Sequence, residues 1–157
     1  MATLKTDLAT ASDSGLVRNR ISGVLASGSI GLVEATYTFT GSEAATGDTI
    51  EICDVPVGAV VLPEHCRVAN EASLGGSDLA LPKLGDSAND DRYSATSISL
   101  HSSNAAIQAV TPNVAEGVIA RHTVTAATSR LIATFTRTNA PTAAKKVKFL
   151  IAYRLGS

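Results

Sequence analysis

The 157-residue chain has no Trp, and aromatic residues make up only 4% of it. Sugar-binding platforms commonly stack their ligand on Trp or Tyr, so three Tyr are few for such a surface. Charge is also scarce: Asp, Glu, Lys and Arg are 17% of residues, where about 25% is usual in soluble domains. Mean hydropathy is nevertheless positive, at +0.18. This combination implies apolar surface covered by other chains. Long apolar runs are missing, and none approaches the ~20 residues of a membrane helix. The Ala/Thr/Ser-rich N-terminus has no basic region followed by a hydrophobic stretch, so it does not read as a signal peptide. Cysteine is limited to Cys53 and Cys66. Two cysteines do not make a disulfide framework, and compartment rules favour buried free thiols over a bond between them.

Net charge is −1, which excludes the basic excess of a nucleic-acid-binding domain. The halves differ, however. Residues 1–78 carry four basic and ten acidic side chains, and residues 79–157 carry nine and four. Either oppositely charged strands pair within one domain, or a dipolar surface docks neighbouring subunits. The length fits one domain with a real core.

What the sequence does contain is a series of short β-patterned segments. Leu32–Thr40 alternates Ala35, Tyr37 and Phe39 with threonines. Gly47–Val61 reads as strand, bend, strand. Ile50 and Ile52 share a face, and Asp48, Thr49, Glu51 and Asp54 keep the segment partly wet. Pro56 and Gly58 break the ladder, Val60, Val61 and Leu62 resume it, and Pro63 stops it. Cys66–Ser73 reads as a further short strand, and Leu79–Leu84, with its Pro, as an edge strand. Ser94–Leu100 alternates weakly. Ser102–Ala109 stays open between loop and helical turn. Val118–Thr125 reads as a strand. Arg130–Thr138 alternates Leu131, Ala133 and Phe135 with Ile132 and Thr134. Lys145–Leu155 sets Val147, Phe149, Ile151 and Tyr153 on one face. No long helix and no 20–50-residue repeat is visible. The expected fold is all-β, an antiparallel β-sandwich resembling a jelly roll, over residues 31–157. Residues 1–30 fit neither period. Leu4, Leu8, Leu16 and Val17 need burial, and Arg18 and Arg20 can anchor to an acidic neighbour, so this stretch is expected to be an extended N-terminal arm that binds a partner.

Catalytic and metal-binding patterns are not found. Asp78, Asp86, Asp90 and Asp91 lack the spacing of a calcium loop. Cys66, His65, His101 and His122 lack zinc-ligand spacing. No Gly-x-Ser-x-Gly elbow poises a serine. Asp90 and Asp91 are adjacent and point apart, unlike a glycosidase pair. Lys145, Lys146 and Lys148, near Phe149 and Tyr153, could hold phosphate or a single nucleic-acid strand, but they read better as a solvated strand face.

Three groups of residues carry a resemblance. Asp48-Thr49-Ile50 leads into Val55-Pro56-Val57-Gly58-Ala59-Val60-Val61, Leu81–Gly85 leads to Asp91-Arg92-Tyr93, and Ile132–Phe135 leads to Phe149–Tyr153. Over residues 32–154 this order resembles the capsid decoration, or cement, proteins of tailed bacteriophages. These are small virion structural proteins encoded beside the major capsid protein. The resemblance implies a non-enzymatic homotrimer on the outside of the phage head, made in the host cytoplasm. Its partners would be the major capsid protein and itself, with no cofactor, nucleic acid or membrane. The alternatives are a carbohydrate- or receptor-binding β-sandwich module of a phage tail, and a cupin- or lyase-type enzyme needing a histidine cluster. The acidic side chains Asp48, Glu51 and Asp54 are expected to face the basic closing strand Lys145–Lys148, either in one subunit or across two. Pro56–Gly58 is expected to carry the chain past a corner of the sandwich.

Overall fold

Alternating side chains place one face of each strand in a shared core. The computed structural model describes residues 3–7, 30–43, 47–72, 74–75, 79–100, 106–136 and 140–155. Within these, ten strands form: β1 Thr3–Lys5, β2 Ile30–Thr38, β3 Thr49–Asp54, β4 Ala59–Val61, β5 Arg67–Asn70, β6 Ala80–Asp86, β7 Ile98–Ser99, β8 Ala106–Ala109, β9 Arg130–Thr136 and β10 Lys146–Leu155. They make two sheets, in the orders β1-β3-β9-β6-β7 and β2-β10-β5-β8, with β4 also paired to β10. All pairs are antiparallel except β1 with β3. The fold is an all-β sandwich.

The strongest alternating segments supply the core. Val147, Phe149, Ile151 and Tyr153 of β10 face Leu131, Ala133 and Phe135 of β9, all buried. Burying each of the larger side chains stabilises the fold by about 1.5–3 kcal/mol. Aromatic contact joins the sheets. Tyr37 meets Phe39 edge-on at 5.1 Å, and Phe39 lies 5.9 Å from Phe135 of the other sheet.

The Pro56–Gly58 bend behaves as expected of a corner. β3 lies in one sheet, and β4, five residues on, pairs with β10 in the other. Gly58 has φ +87°, a conformation that side chains with a Cβ rarely adopt. Asp48, just before β3, departs from expectation, being buried rather than wet.

Within one subunit, the expected partnership of Asp48, Glu51 and Asp54 with Lys145–Lys148 is overturned, because β3 and β10 belong to different sheets. Glu51 and Asp54 instead bind Arg130 of the adjacent β9, at 2.6 and 2.5 Å. Lys148 binds Glu34 of its own neighbour β2, at 2.6 Å. Glu64 binds Arg121 at 2.6 Å. Each of these pairs joins the acidic half of the chain to the basic half within one subunit.

Further differences have local causes. β6 is an inner strand, not an edge, between β9 and β7. Pro82 is tolerated because it falls in the register irregularity between Ala80 and Lys83, where no ladder amide is needed. The segment expected as a strand over 118–125 is instead a π-helical turn, Val114–Ile119, followed by a single bridge between Thr123 and Val60. Gly117 permits this turn. A Cβ there would lie 3.1 Å from the Arg92 carbonyl and 3.2 Å from Pro63. Residues 94–100 keep only the two-residue β7, and within the open stretch 102–109 the described residues 106–109 are strand β8.

Candidate interaction surface

The reactive side chains are locked inside. Cys53 and Cys66 are buried free thiols. Burial, with the Asp54 charge behind it, pushes the Cys53 thiol up to about 12, and burial pushes Cys66 up to about 11. Both therefore stay protonated at neutral pH and are poor nucleophiles. Burial, then the charge on Arg92, lowers the His122 pKa, and its ring Nε2 lies 3.0 Å from the Thr128 hydroxyl. Among the described residues no three His, Cys, Asp or Glu side chains converge as a metal site. Asp78 and His101 lie outside the described residues.

The loop at 86–93, whose aspartates lack calcium-loop spacing, is a structural knot. Asp86 is fully buried at the end of β6. One carboxylate oxygen accepts the amides of Ala88 and Asn89, at 2.9 and 3.0 Å. The other accepts Arg92 Nε at 2.6 Å and, at 3.4 Å, the Tyr93 hydroxyl. Asn89 Nδ2 reaches Glu116 on the π-helical turn at 2.5 Å. The carboxylate is thus occupied by its own loop. The knot closes because Gly85 lacks a Cβ, which would sit 2.1 Å from the Asn89 carbonyl oxygen. An Asp followed within three residues by the amides it accepts is a turn signal the sequence did carry.

At the opposite end of the sandwich a second buried carboxylate does similar work. Glu43 accepts the Tyr37 hydroxyl at 3.0 Å, the Gly41 amide at 3.0 Å and the Thr40 amide. Burial alone would raise its pKa. Hydrogen bonds from Thr40, its own amide and Tyr37 outweigh that, and hold the carboxyl below the usual range. Burial, then the Glu43 charge, raises the Tyr37 phenol well above its ordinary value.

The outer surface is where apolar groups remain unexplained by the core. Val57 on the corner, Val114 and Ile119 on the π-helical turn, and Ile30 and Leu32 on β2 are all exposed. Strand register places them toward one end, where β10 finishes. Ile30 pairs with Arg154 and Leu32 with Ala152, the corner leads directly into β4, which pairs with residues 153–155, and the turn packs at Gly117 on Pro63, just after β4. Ile107 stands apart, on β8 at the side of the molecule. Between β5 and the start of β10 lies a shallow depression of about 160 Å³, lined by Ala69, Asn70, Glu71, Lys146 and Lys148.

Of the residues expected to bind a partner, Leu4 is on β1, half-buried against the chain's own core, so its contact is internal. The Thr6 hydroxyl beside it donates to the Ile52 carbonyl, and Asp7 accepts the Thr36 amide at 2.8 Å. Leu8, Leu16, Val17, Arg18 and Arg20 lie outside the described residues.

No protein-family model and no curated protein matches the chain. Solved structures do share its fold. One is a chain of the cyanophage Pam1 capsid asymmetric unit, at 23% identity and TM-score 0.58, over 90% of this chain and 95% of that one. Another is a chain of the capsid of Ralstonia phage GP4, at 17% identity and TM-score 0.62, over 99% of both. At these identities the likeness is one of fold.

Proposed function

We propose that this chain is a virion structural protein that binds the outside of a phage capsid and cements neighbouring capsid subunits. The carrying observation is agreement of fold, along almost the full length of both chains, with chains of two phage capsids. Cementing requires no catalytic group or cofactor. It requires modest contacts repeated by symmetry, so that weak single sites become strong through avidity. The apolar end formed by Val57, Val114 and Ile119 supplies such a contact, and its rim of internally paired charges does not oppose docking. Leu8, Leu16, Val17, Arg18 and Arg20 supply a second, by reaching across the joint between capsid subunits. The oligomer in this reading is a homotrimer on the head surface.

The test mixes purified protein with empty shells of its major capsid protein and follows co-sedimentation and shell melting. Saturable binding with a higher shell melting temperature is expected. Failure to co-sediment at any ratio overturns the proposal. Removing residues 1–22 would also strip β1 from its sheet, so the arm is better tested by Leu8→Ser, Leu16→Ser and Val17→Ser together. That variant should keep the folded body and lose shell affinity. Unchanged affinity rejects the arm contact.

A further inference from the structure

Among the described residues the outer strands of this sandwich are not equivalent: β4, beside β10, is bridged through Val60 to Thr123, and β1, β7, β2 and β8 end the two sheets. β1 is three residues long and carries Lys5, and β7 is two residues long. β2 is long, but it carries Glu34, and its Thr36 amide is taken by the Asp7 carboxylate. Short length, charge and capped amides are the devices that discourage strand addition. β8 has none of the last two. Ala106-Ile107-Gln108-Ala109 is uncharged and free of Pro, and Ile107 is 77% exposed.

Register shows which backbone groups point away from the sheet. Val110 donates to the Cys66 carbonyl at 3.2 Å, and the pairs run Arg67 with Ala109, Val68 with Gln108, and Ala69 with Ile107. Antiparallel pairs alternate between bonded and non-bonded. The amides and carbonyls of Ile107 and Ala109 therefore point outward, and they take no hydrogen bond from any described residue. Gln108 faces inward instead, with Nε2 donating to the Ser99 carbonyl at 2.5 Å and to Asn70 at 3.3 Å.

We infer that β8 pairs antiparallel with β8 of a second copy of this chain, about a two-fold axis through Gln108. This register matches every outward group. Ile107 of one copy lies opposite Ala109 of the other, giving about four new hydrogen bonds. It also sets a large side chain against a small one on the exposed face, twice. The strand carries no charge to repel its own image, and a two-fold contact is necessarily self-complementary. The resulting sheet runs continuously through both copies. A four-residue strand buries little area, so the contact is weak in solution and gains from a surface that holds copies side by side. The inference concerns the isolated chain and does not depend on capsid binding.

Gln108→Cys tests it, because the two Gln108 residues would form a non-bonded pair with Cα atoms about 4.5 Å apart, within disulfide reach. Mild oxidation should yield at least tenfold more disulfide dimer than Thr38→Cys, an exposed position on β2. Adding Ile107→Pro removes an amide the chain does not use internally, so it should abolish the cross-link while leaving the melting temperature unchanged. Sedimentation velocity of the wild type, free of any new cysteine, should show self-association that Ile107→Pro weakens at least tenfold. Equal cross-linking at both cysteine positions overturns the inference. So does self-association untouched by Ile107→Pro.

Discussion

The two ends of the sandwich each bury a carboxylate, Asp86 at one and Glu43 at the other, but they treat apolar surface and ion pairs differently. Where β10 finishes, charged side chains are turned inward on one another: Asp86 with Arg92, Glu64 with Arg121, and Arg130 with Asp54. Apolar side chains at the same end, Val57, Val114 and Ile119, face outward. Where β10 begins, Glu43 and Asp48 are buried as well, but the apolar groups are arranged differently. The aromatic cluster of Tyr37, Phe39 and Phe135 is buried, and Lys148 with Glu34 stands in solvent. An end that consumes its charge and exposes its apolar residues is shaped for a partner. An end that buries its aromatics and exposes its ion pair is shaped for water.

This contrast is open to attack at graded strength. Asp86→Ala should do the most damage, leaving the Arg92 guanidinium and two loop amides without their acceptor. Breaking a buried pair of this kind costs about 3–5 kcal/mol, read as a fall in chemical-denaturation midpoint. Gly85→Ala comes next. Its Cβ would collide with backbone that cannot rotate away, and overpacking of this sort costs about 2–3 kcal/mol. A melting curve like the wild type's would mean that the loop does not close on β6.

At the opposite end, Glu43→Gln should cost about 1–2 kcal/mol at neutral pH by weakening hydrogen bonds to a charged acceptor. It should also change the acid limb. A carboxyl held below its unfolded value contributes stability above the unfolded pKa and loses it as pH falls through the folded one. Wild-type stability should therefore decline below about pH 4.3, and the variant should decline less. Parallel pH profiles would show that Glu43 is not the group responsible.

The smallest effects on stability are expected outside. Val114→Ser with Ile119→Ser should leave the melting temperature unchanged and weaken shell binding at least tenfold. Lys148→Ala should change neither, since both members of its pair are about half exposed and such pairs contribute little. If Lys148→Ala releases the protein from shells while the double serine variant does not, the assignment of the two ends is reversed.

Much of this fold was legible in the residue order. β2, β3, β9 and β10 were visible from alternation, because a strand with one buried face must place apolar side chains at every second position. The corner at Pro56–Gly58 was visible because a missing amide and a positive φ have few other uses. Other elements gave no reliable local sign. β8 has only one large apolar residue, and the stretch from Val114 to Ile119 has β-branched residues that a strand would also favour. The charged pattern misled for a related reason. Asp48, Glu51 and Asp54 look complementary to Lys145, Lys146 and Lys148, but Arg130 was equally able to answer them.

The sequence by itself determined that this is a β protein, where its main strands lie, which face of each is buried and where the chain turns a corner. These follow from side-chain period and backbone chemistry, which act over a few residues. The tertiary structure alone decided which strand lies beside which, which carboxylate meets which arginine, that the loop after β6 is a closed knot, and that β8 is left as an open edge. Those outcomes depend on pairings between residues far apart in the chain, among partners that local chemistry makes equally acceptable.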